Sequence, residues 1–307
     1  MFGSTSFFNI NADRRLSKWG MRLFMAGNRL NNSLPYSFLD KKLKIKNFSL
    51  SEQELKKFWP LTEIKSSPSR KLSDLFWLSL PWTKIKEELN AINIFDVGCG
   101  SGNYGKFFAN KAGAEISSYV GIDSVFNKNW PVLEKEFPDF KFHEGNSQNV
   151  FPSIPKKTNL FISQSAIEHF KKDLYFFKQI KKFILSEKKP TLQIHLFPSA
   201  ACLPLYRGHG FREYTPKTVS KISRLFSDFS DCFLFNLGDK NCNRLHFDFI
   251  TKPKYIARSK DRRELETENY NSLLLSAVKN SFLNSSQKTS PGFYALVIHS
   301  FKNKSIF

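Results

Sequence analysis

One stretch decides the fold of this chain: residues 94–105, which read Ile94-Phe95-Asp96-Val97-Gly98-Cys99-Gly100-Ser101-Gly102-Asn103-Tyr104-Gly105. An apolar strand runs into an acidic residue and then into glycines at alternate positions. A buried parallel strand that turns sharply into a helix needs residues without a Cβ where a ligand approaches the turn, and the first N–H groups of the helix then face that ligand. The stretch therefore predicts a nucleotide-binding turn in a doubly wound α/β fold.

Two classes of cofactor fit this turn. Residues 100–105 also match the dinucleotide pattern G-x-G-x-x-G, with the acidic Asp123 downstream. If Gly100 opened a dinucleotide turn, Asp96 would lie inside the preceding buried strand, where an unpaired carboxylate is costly. As the last residue of the strand, Asp96 would instead face a cationic or amino-bearing ligand at the mouth of the cleft. The sequence therefore favours such a ligand over NAD.

The residues from Asp96 to Gly102 resemble the first motif of the class I S-adenosylmethionine-dependent methyltransferases. The resemblance implies that Asp96 and the glycines hold the methionine end of S-adenosylmethionine. It implies that Asp123 accepts hydrogen bonds from the ribose hydroxyls; the alternative for Asp123 is a helix N-cap. The cofactor contacts that we expect from the resemblance are Asp96, Gly98, Gly100, Gly102, Asp123, Asn146, Ser163 and Gln164.

The same resemblance covers residues 90–200 well and the C-terminal part more loosely, and it implies the architecture of the domain. We expect a Rossmann-like, doubly wound α/β domain over residues 91–307, with a seven-stranded, mostly parallel sheet whose last strand is antiparallel. Residues 1–90 are expected to form a helical extension that covers one side of the cleft. The predicted strands lie near residues 94–96, 118–123, 140–146 with a terminal loop, 160–170 with the trailing Glu-His pair, 191–197, 232–235 and 293–298.

The loop at residues 198–216 is the predicted substrate wall, because loops beyond the carboxyl ends of parallel strands line the ligand crevice. His209 is the first candidate for a general base, since an unperturbed imidazole titrates near neutrality. His169 is the second, and Glu168 beside it completes a Glu-His pair seen in many small-molecule members of the family. The alternative for the loop at residues 198–216 is a solvated insertion that makes no contact with the substrate. The expected substrate contacts are Tyr206, Arg207, Arg212 and Tyr214, of which the arginines suit an anionic group.

The composition and net charge of the chain indicate which classes of binding partner to consider. The chain has 307 residues, a net charge of +20 and 33 phenylalanines. Clustered basic residues suggest nucleic acid, but here lysines are spread along the whole chain, as an A+T-biased genome produces, so nucleic acid is not favoured. Attraction to an anionic membrane is at least as plausible, because residues 13–24 mix basic and bulky apolar side chains. The alternative is a helix that packs Leu16, Trp19, Leu23 and Phe24 on the core.

The cysteines indicate neither a metal nor a disulfide framework. Cys99, Cys202, Cys232 and Cys242 are scattered, with no C-x-x-C pair. No apolar run approaches the ~18 residues of a membrane span, and the first residues lack the layout of a signal peptide. We therefore expect a cytoplasmic protein without a metal site, and the oligomeric state stays open.

The expected activity is methyl transfer from S-adenosylmethionine to a small or carrier-linked acceptor, by analogy in the biosynthesis of surface saccharides or lipids. An RNA methyltransferase is the first alternative. It is disfavoured because residues 163–166 read Ser-Gln-Ser-Ala, in place of the Asn/Asp-Pro-Pro-Tyr/Phe tetrad of many relatives that methylate base amines. A non-catalytic scaffold that binds the cofactor is the second alternative.

Overall fold

A computed structural model describes residues 3–33, 38–206, 208–283 and 290–307 of the chain. Apolar runs with strong β-propensity form the strands, and most of these runs are buried on both faces, as in parallel sheets. In chain order the strands are β1 (Leu43–Asn47), β2 (Ile92–Val97), β3 (Ile116–Asp123), β4 (Phe140–Glu144), β5 (Leu160–Gln164), β6 (Thr191–Pro198), β7 (Ser230–Leu237) and β8 (Phe293–Ser300).

The strands form one sheet in the order β1-β7-β8-β6-β5-β2-β3-β4. Neighbouring strands are parallel except where β8 pairs antiparallel with β6 and β7. The prediction of a mostly parallel α/β sheet with an antiparallel last strand is confirmed, and all of the predicted strands are present.

The sheet differs from the prediction by one added edge strand. β1 comes from the segment expected to be helical and pairs parallel with β7, with Leu43 opposite Cys232. Its side chains are mostly exposed, and two of its five residues are lysines, a composition that protects a sheet edge from pairing further. So short and polar a strand carries no local signal of its partner, which lies far along the chain.

Helices cover both faces of the sheet. α3, α4, α5 and α12 contribute to the hydrophobic cluster on one face, and α7 and α9 contribute to the cluster on the other. The helices are α1 (Lys18–Ser33), α2 (Glu52–Phe58), α3 (Pro68–Ser79), α4 (Trp82–Leu89), α5 (Asn103–Asn110), α6 (Trp130–Glu136), α7 (Asp173–Glu187), α8 (Leu203–Tyr206), α9 (Pro216–Ser223), α10 (Lys240–His246), α11 (Arg262–Leu265) and α12 (Thr267–Leu283). Within the part of the chain that the structure describes, none of these helices has both the length and the apolar character to cross a bilayer.

The strand order reverses between β2 and β5. From β2 the chain moves outward to β3 and β4, and it then returns to the opposite side of β2 to form β5 and β6. Such a reversal leaves a crevice outside the carboxyl ends of the two central strands, which is where ligands bind in open α/β sheets. The loop after β2 is the glycine turn, so the fold places the decisive sequence at this crevice.

Candidate functional site

The three glycines after β2 all have positive φ, at +79° for Gly98, +55° for Gly100 and +77° for Gly102. A Cβ on Gly98 would lie 2.5 Å from the Cβ of Ala166, and one on Gly102 would lie 2.6 Å from the ring of Phe142. No described atom lies within 4 Å of the Cβ position of Gly100. Packing therefore requires Gly98 and Gly102, whereas Gly100 keeps its backbone open to a ligand.

Asp123, the last residue of β3, holds this turn in place. Its carboxylate accepts hydrogen bonds from the backbone N–H groups of Gly100 at 2.9 Å and Val125 at 3.3 Å. The next helix, α6, begins at Trp130, and its N-cap is Asn129. Asp123 is therefore not the N-cap of that helix, and its half-buried carboxylate stays beside the open face of Gly100.

Asp96 lies one residue before the end of β2 and not at the end, as the sequence suggested. Its side chain is only 3% exposed, and the hydroxyl of Tyr119 on β3 donates a hydrogen bond to it. This partner explains how a carboxylate is tolerated inside the strand. Burial raises the pKa of Asp96 to about 7, although the Tyr119 hydrogen bond opposes this shift; the charge of Asp123 adds to it.

Two adjoining cavities open at the glycine turn. The first, of about 320 Å³, is lined by residues that include Arg70, Asp96 and Gly100. The second, of about 430 Å³, is lined by residues that include Asn146 and His169. Gly98, Asp123 and Ser165 line both cavities. Their volumes are in the range of small-molecule sites, and carboxylates face the ligand space from both β2 and β3.

Arg70 is a cavity residue that the sequence analysis missed. It lies in the first turn of α3, its guanidinium lies 4.6 Å from the ring centroid of Tyr104, and its Nε lies 3.6 Å from a carboxylate oxygen of Asp74. The sequence predicts a loop over residues 66–71, whereas in the structure α3 begins at Pro68 with Ser67 as its N-cap. No local pattern links Arg70 to a turn that begins nearly thirty residues later, so only the fold brings this cation to the cleft.

The remaining predicted cofactor residues are divided between cleft and interior. Asn146 lies on the loop after β4 and lines the second cavity. Gln164 ends β5, lines the first cavity and accepts a hydrogen bond from the indole of Trp77 at 3.0 Å. Ser163 lines neither cavity, because successive side chains of a strand point to opposite faces. It is fully buried, and its hydroxyl is 2.8 Å from Nδ1 of His195.

The three predicted catalytic residues lie together, joined by Asp13. The ring centroids of His169 and His209 are 4.4 Å apart. Asp13 lies 2.7 Å from Nδ1 of His169 and 3.8 Å from Nδ1 of His209. Oε1 of Glu168 lies 3.7 Å from Nε2 of His209 and 4.0 Å from Nε2 of His169. We call Asp13, Glu168, His169 and His209 the histidine cluster; it adjoins the second cavity through His169.

The imidazoles and carboxylates of the histidine cluster shift one another's pKa values. Burial lowers the pKa of His169, but the hydrogen bond with Asp13 and the charges of Glu168 and Asp13 outweigh burial and leave that pKa raised. Burial raises the pKa of Asp13, but the contacts with His169 and the Gly210 N–H leave it lowered overall. Glu168 is fully buried, and neither of its carboxyl oxygens has a hydrogen-bond partner among the described residues.

Two of the expected substrate contacts are used by the protein interior. Arg212 is 1% exposed and donates hydrogen bonds to Ser6 and to the carbonyls of Phe170 and Lys171. The hydroxyl of Tyr214, also buried, donates to the carboxylate of Asp173 at 2.9 Å. The expectation failed for these two residues because their half of the loop folds into the core, where they tie the N-terminal segment to the start of α7.

The other two expected substrate contacts are Tyr206 and Arg207. Tyr206 is half-buried and, with Gln164 and Phe293, lines a smaller cavity of about 220 Å³ beside the cleft. Arg207 lies outside the described residues. Among the described residues of the 198–216 loop, Tyr206 lines this smaller cavity, and His209 lies against His169, which lines the second cavity.

No protein-family model matches this sequence, and no curated protein matches it. Among solved structures, the chain is similar to a SAM dependent methyltransferase from Archaeoglobus fulgidus, with 16% identity over 80% of this chain and 97% of that chain and a TM-score of 0.43. It is also similar to the plantazolicin methyltransferase BamL in complex with a triazolic desmethylPZN analog and SAH (12% identity, 81% and 89% of the two chains, TM-score 0.41). A third similar structure is the cyclase SpnF (10% identity, 97% and 98%, TM-score 0.48). Two of the three are named methyltransferases.

Proposed function

We propose that this protein is an S-adenosylmethionine-dependent methyltransferase that acts on a small or carrier-linked acceptor. The observation that carries the proposal is the charge pattern around the open face of Gly100. Arg70 and Asp96 line the first cavity, and Asp123 lies between that cavity and the second. A ligand with a carboxylate, an ammonium group and a vicinal diol matches these groups in kind. S-adenosylmethionine carries all three.

Each group then has a separate task in holding the donor. Arg70 would pair with the methionine carboxylate, Asp96 with the ammonium group and Asp123 with the ribose hydroxyls. Asn146, which lines the second cavity, would hydrogen-bond to the adenine. The open backbone at Gly100 would leave room for the chain that joins the amino acid to the ribose.

The same charges disfavour a dinucleotide. A pyrophosphate at the glycine turn would lie beside the carboxylates of Asp96 and Asp123, and like charges at short range in a half-buried site repel strongly. Asp123 also accepts the N–H of Gly100 at 2.9 Å, so this donor already has an anionic partner. The turn thus presents acceptors to the ligand where a dinucleotide needs donors.

The acceptor would lie on the side of the histidine cluster. Methyl transfer is an in-line attack on the sulfonium carbon, and the protein contributes mainly by aligning the nucleophile with the methyl group. A hydroxyl or amine acceptor also has to lose a proton, and His209 and His169 are the imidazoles at hand, with Glu168 buried behind them. His209 remains our first candidate for this base.

The test of the donor site is calorimetry on the full chain with S-adenosylmethionine, S-adenosylhomocysteine and NAD. We expect binding of the first two and no measurable affinity for NAD. Asp123→Ala should weaken binding by roughly 1.5–3 kcal/mol, the range for hydrogen bonds to a charged group, whereas Asp139→Ala, at a turn remote from the cleft, should have no effect. Tight binding of NAD alone would overturn the proposal.

The acceptor is proposed by class only, as a hydroxyl or amine on a metabolite or on a saccharide or lipid carrier, used in the cytoplasm. Transfer of a radiolabelled methyl group to a panel of sugar nucleotides, lipid-linked saccharides and total RNA tests this class. Label in RNA alone would replace our proposal with RNA methylation. Donor binding without transfer to any cellular extract would favour a scaffold.

A further inference from the structure

We propose that the histidine cluster binds a divalent transition-metal ion, with His169, His209 and Glu168 as ligands. Donor atoms of Asp13, His169 and His209 all lie within 4.8 Å of one another. Imidazole nitrogens and carboxylate oxygens are the ligands of zinc and similar divalent ions, at about 2.0–2.2 Å. Two donors that share one ion lie at most about 4.4 Å apart. Oε1 of Glu168 meets this limit with both histidines, at 3.7 Å from Nε2 of His209 and 4.0 Å from Nε2 of His169.

Glu168 supplies an independent reason to place a cation here. Its carboxylate is fully buried, and neither oxygen has a hydrogen-bond partner among the described residues. Oε1 is 3.7 Å from Nε2 of His209 and 4.0 Å from Nε2 of His169, which is too long for hydrogen bonds but suits two donors on a shared ion. A buried carboxylate without hydrogen-bond partners is costly, and an ion between these atoms would lower that cost.

Asp13 completes the arrangement from the other side. It lies 2.7 Å from Nδ1 of His169, so the opposite ring nitrogen is the one directed toward Glu168. A histidine that binds a metal through one nitrogen usually donates the other N–H to a carboxylate, which fixes its tautomer and orientation. Asp13 is therefore a positioning residue for His169; it also lies 3.8 Å from Nδ1 of His209, which is too long for a hydrogen bond.

Backbone hydrogen bonds hold the three contributing segments together without an ion. The N–H of Gly210 donates to Asp13 at 2.9 Å, the N–H of Ala12 donates to the carbonyl of Gly210 at 2.8 Å, and the N–H of Phe211 donates to the carbonyl of Glu168 at 2.8 Å. Gly210 has a φ of +62°, and a Cβ there would lie 2.6 Å from the carbonyl oxygen of Glu168. The ligands are thus pre-organised, which lowers the entropic cost of binding.

The ion would face the second cavity, because His169 lines it together with Gly98 and Asp123. This step rests on the proposed function: an ion with an open coordination position would bind an acceptor hydroxyl and lower its pKa, so that the proton would leave to solvent water as the oxygen takes the methyl group. The imidazoles would then hold the ion instead of taking the proton themselves. Metal binding itself does not depend on methyl transfer.

The experiment uses the chelator-treated full chain without S-adenosylmethionine. We expect one equivalent of Co²⁺ to bind with visible absorption bands and to be displaced by Zn²⁺. His169→Ala, His209→Ala and Glu168→Gln should each weaken Co²⁺ binding at least tenfold, and Asp13→Asn should weaken it 10–100-fold as a positioning residue. His143→Ala, an exposed histidine outside the cluster, is the control and should bind as the wild type does.

Circular dichroism identifies any variant that fails to fold, and the wild-type titration decides the proposal alone if the variants are lost. No Co²⁺ absorption with the wild type would overturn the site, as would unchanged binding by a folded His169→Ala/His209→Ala double variant. Binding of S-adenosylhomocysteine to the same metal-free protein is measured in parallel. Failure of one titration with success of the other then separates the metal site from the donor site.

Discussion

Asp96 is a buried carboxyl whose ionisation we expect to be linked to donor binding. Burial raises its pKa to about 7 in the ligand-free protein, and an ammonium group would favour the ionised form. Below pH 7 binding must therefore release a proton, which weakens it; above pH 7 this cost disappears. We expect the affinity for S-adenosylhomocysteine to fall about tenfold from pH 7.5 to pH 6, following the usual tenfold change per pKa unit.

Calorimetry in two buffers of different ionisation enthalpy measures the released proton directly. Tyr119→Phe provides a matched variant, because it removes the hydrogen bond that holds the pKa of Asp96 down. Its affinity should begin to fall at a higher pH than that of the wild type. If the affinity is constant from pH 6 to 7.5 and no proton is released, Asp96 does not contact the ammonium group of the ligand.

A substitution at Gly100 can affect the protein in two ways: it strains the backbone at a positive φ, and its side chain obstructs the ligand. A control glycine outside the cleft distinguishes these two effects. Gly100→Ala adds a methyl group in open space at a φ of +55°, so we expect a folded protein, destabilised by about 1–2 kcal/mol, that no longer binds the donor. Gly113→Ala is the control, since its φ is +66° and no described atom lies within 4 Å of its Cβ position. Urea unfolding and calorimetry should show equal destabilisation but loss of binding only in Gly100→Ala.

Residues of the turn could be predicted from the sequence, because the turn is local and its requirement for glycine is specific. Arg212 could not, because its chemistry suits a substrate anion and an internal anchor equally well. Only the fold shows its guanidinium against Asp173 at 3.4 Å and against backbone carbonyls. Asp13 was missed for a related reason: it reaches His169 across 156 positions of sequence.

At the scale of elements, the strands of the domain that contains the glycine turn were predictable and β1 was not. β5 and β8 begin with the apolar runs 160–162 and 293–298, which indicate strands by composition, whereas the more polar β4 was predicted from the family resemblance. β1 is short and alternates lysine with apolar residues, so its place beside β7 depends on a contact that no local pattern encodes. The position of each carboxyl-end loop at the cleft then followed from the strand order.

Helix α1 has one apolar residue packed on the core and others exposed to solvent, so it combines features of the two alternatives that its sequence allowed. Phe24 is buried, but Trp19 is 71% exposed and Leu23 is 61% exposed, so the interpretation that all of its bulky residues pack on the core is wrong. Arg22 lies over the Trp19 ring at 5.0 Å. An exposed tryptophan and leucine among basic residues match the composition of interfacial helices.

We therefore expect α1 to attach the protein to vesicles that contain anionic lipid, with a blue shift of tryptophan emission. Trp19→Ser/Leu23→Ser should weaken this binding at least tenfold, since each side chain buries apolar surface worth roughly 1.5–3 kcal/mol. Leu265→Ser, which changes an equally exposed leucine on α11, should not. Sedimentation with vesicles measures the effect, and equal binding by both variants would place the attachment elsewhere.

For the molecule as a whole, two neutral histidines in the interior make stability sensitive to acid. His195 lies in β6, fully buried against the ring of Phe177 at 5.0 Å, and burial lowers its pKa to about 3. Burial, with a smaller contribution from Arg263, lowers the pKa of His246 to about 4. Both titrate near 6.5 in an unfolded chain. The unfolded state therefore binds two more protons than the native state between these limits, so the stability that the neutral histidines provide is present above pH 6.5 and is lost as the pH falls.

The size of the loss follows from proton linkage. Two protons correspond to about 2.7 kcal/mol of unfolding free energy per pH unit well below pH 6.5. His195→Gln keeps a polar side chain opposite Ser163 but cannot titrate, so we expect urea unfolding between pH 4.5 and 6 to show a slope smaller by about 1.4 kcal/mol per pH unit. His143→Gln, at an exposed histidine on β4, should reduce the slope less: partial burial also lowers the pKa of His143, opposed by the charge of Glu134, but its side chain stays in contact with water. If unfolding free energy has the same slope against pH in His195→Gln and in the wild type, then His195 already binds a proton in the native protein. The interior around β6 would then have to open in acid before the chain unfolds.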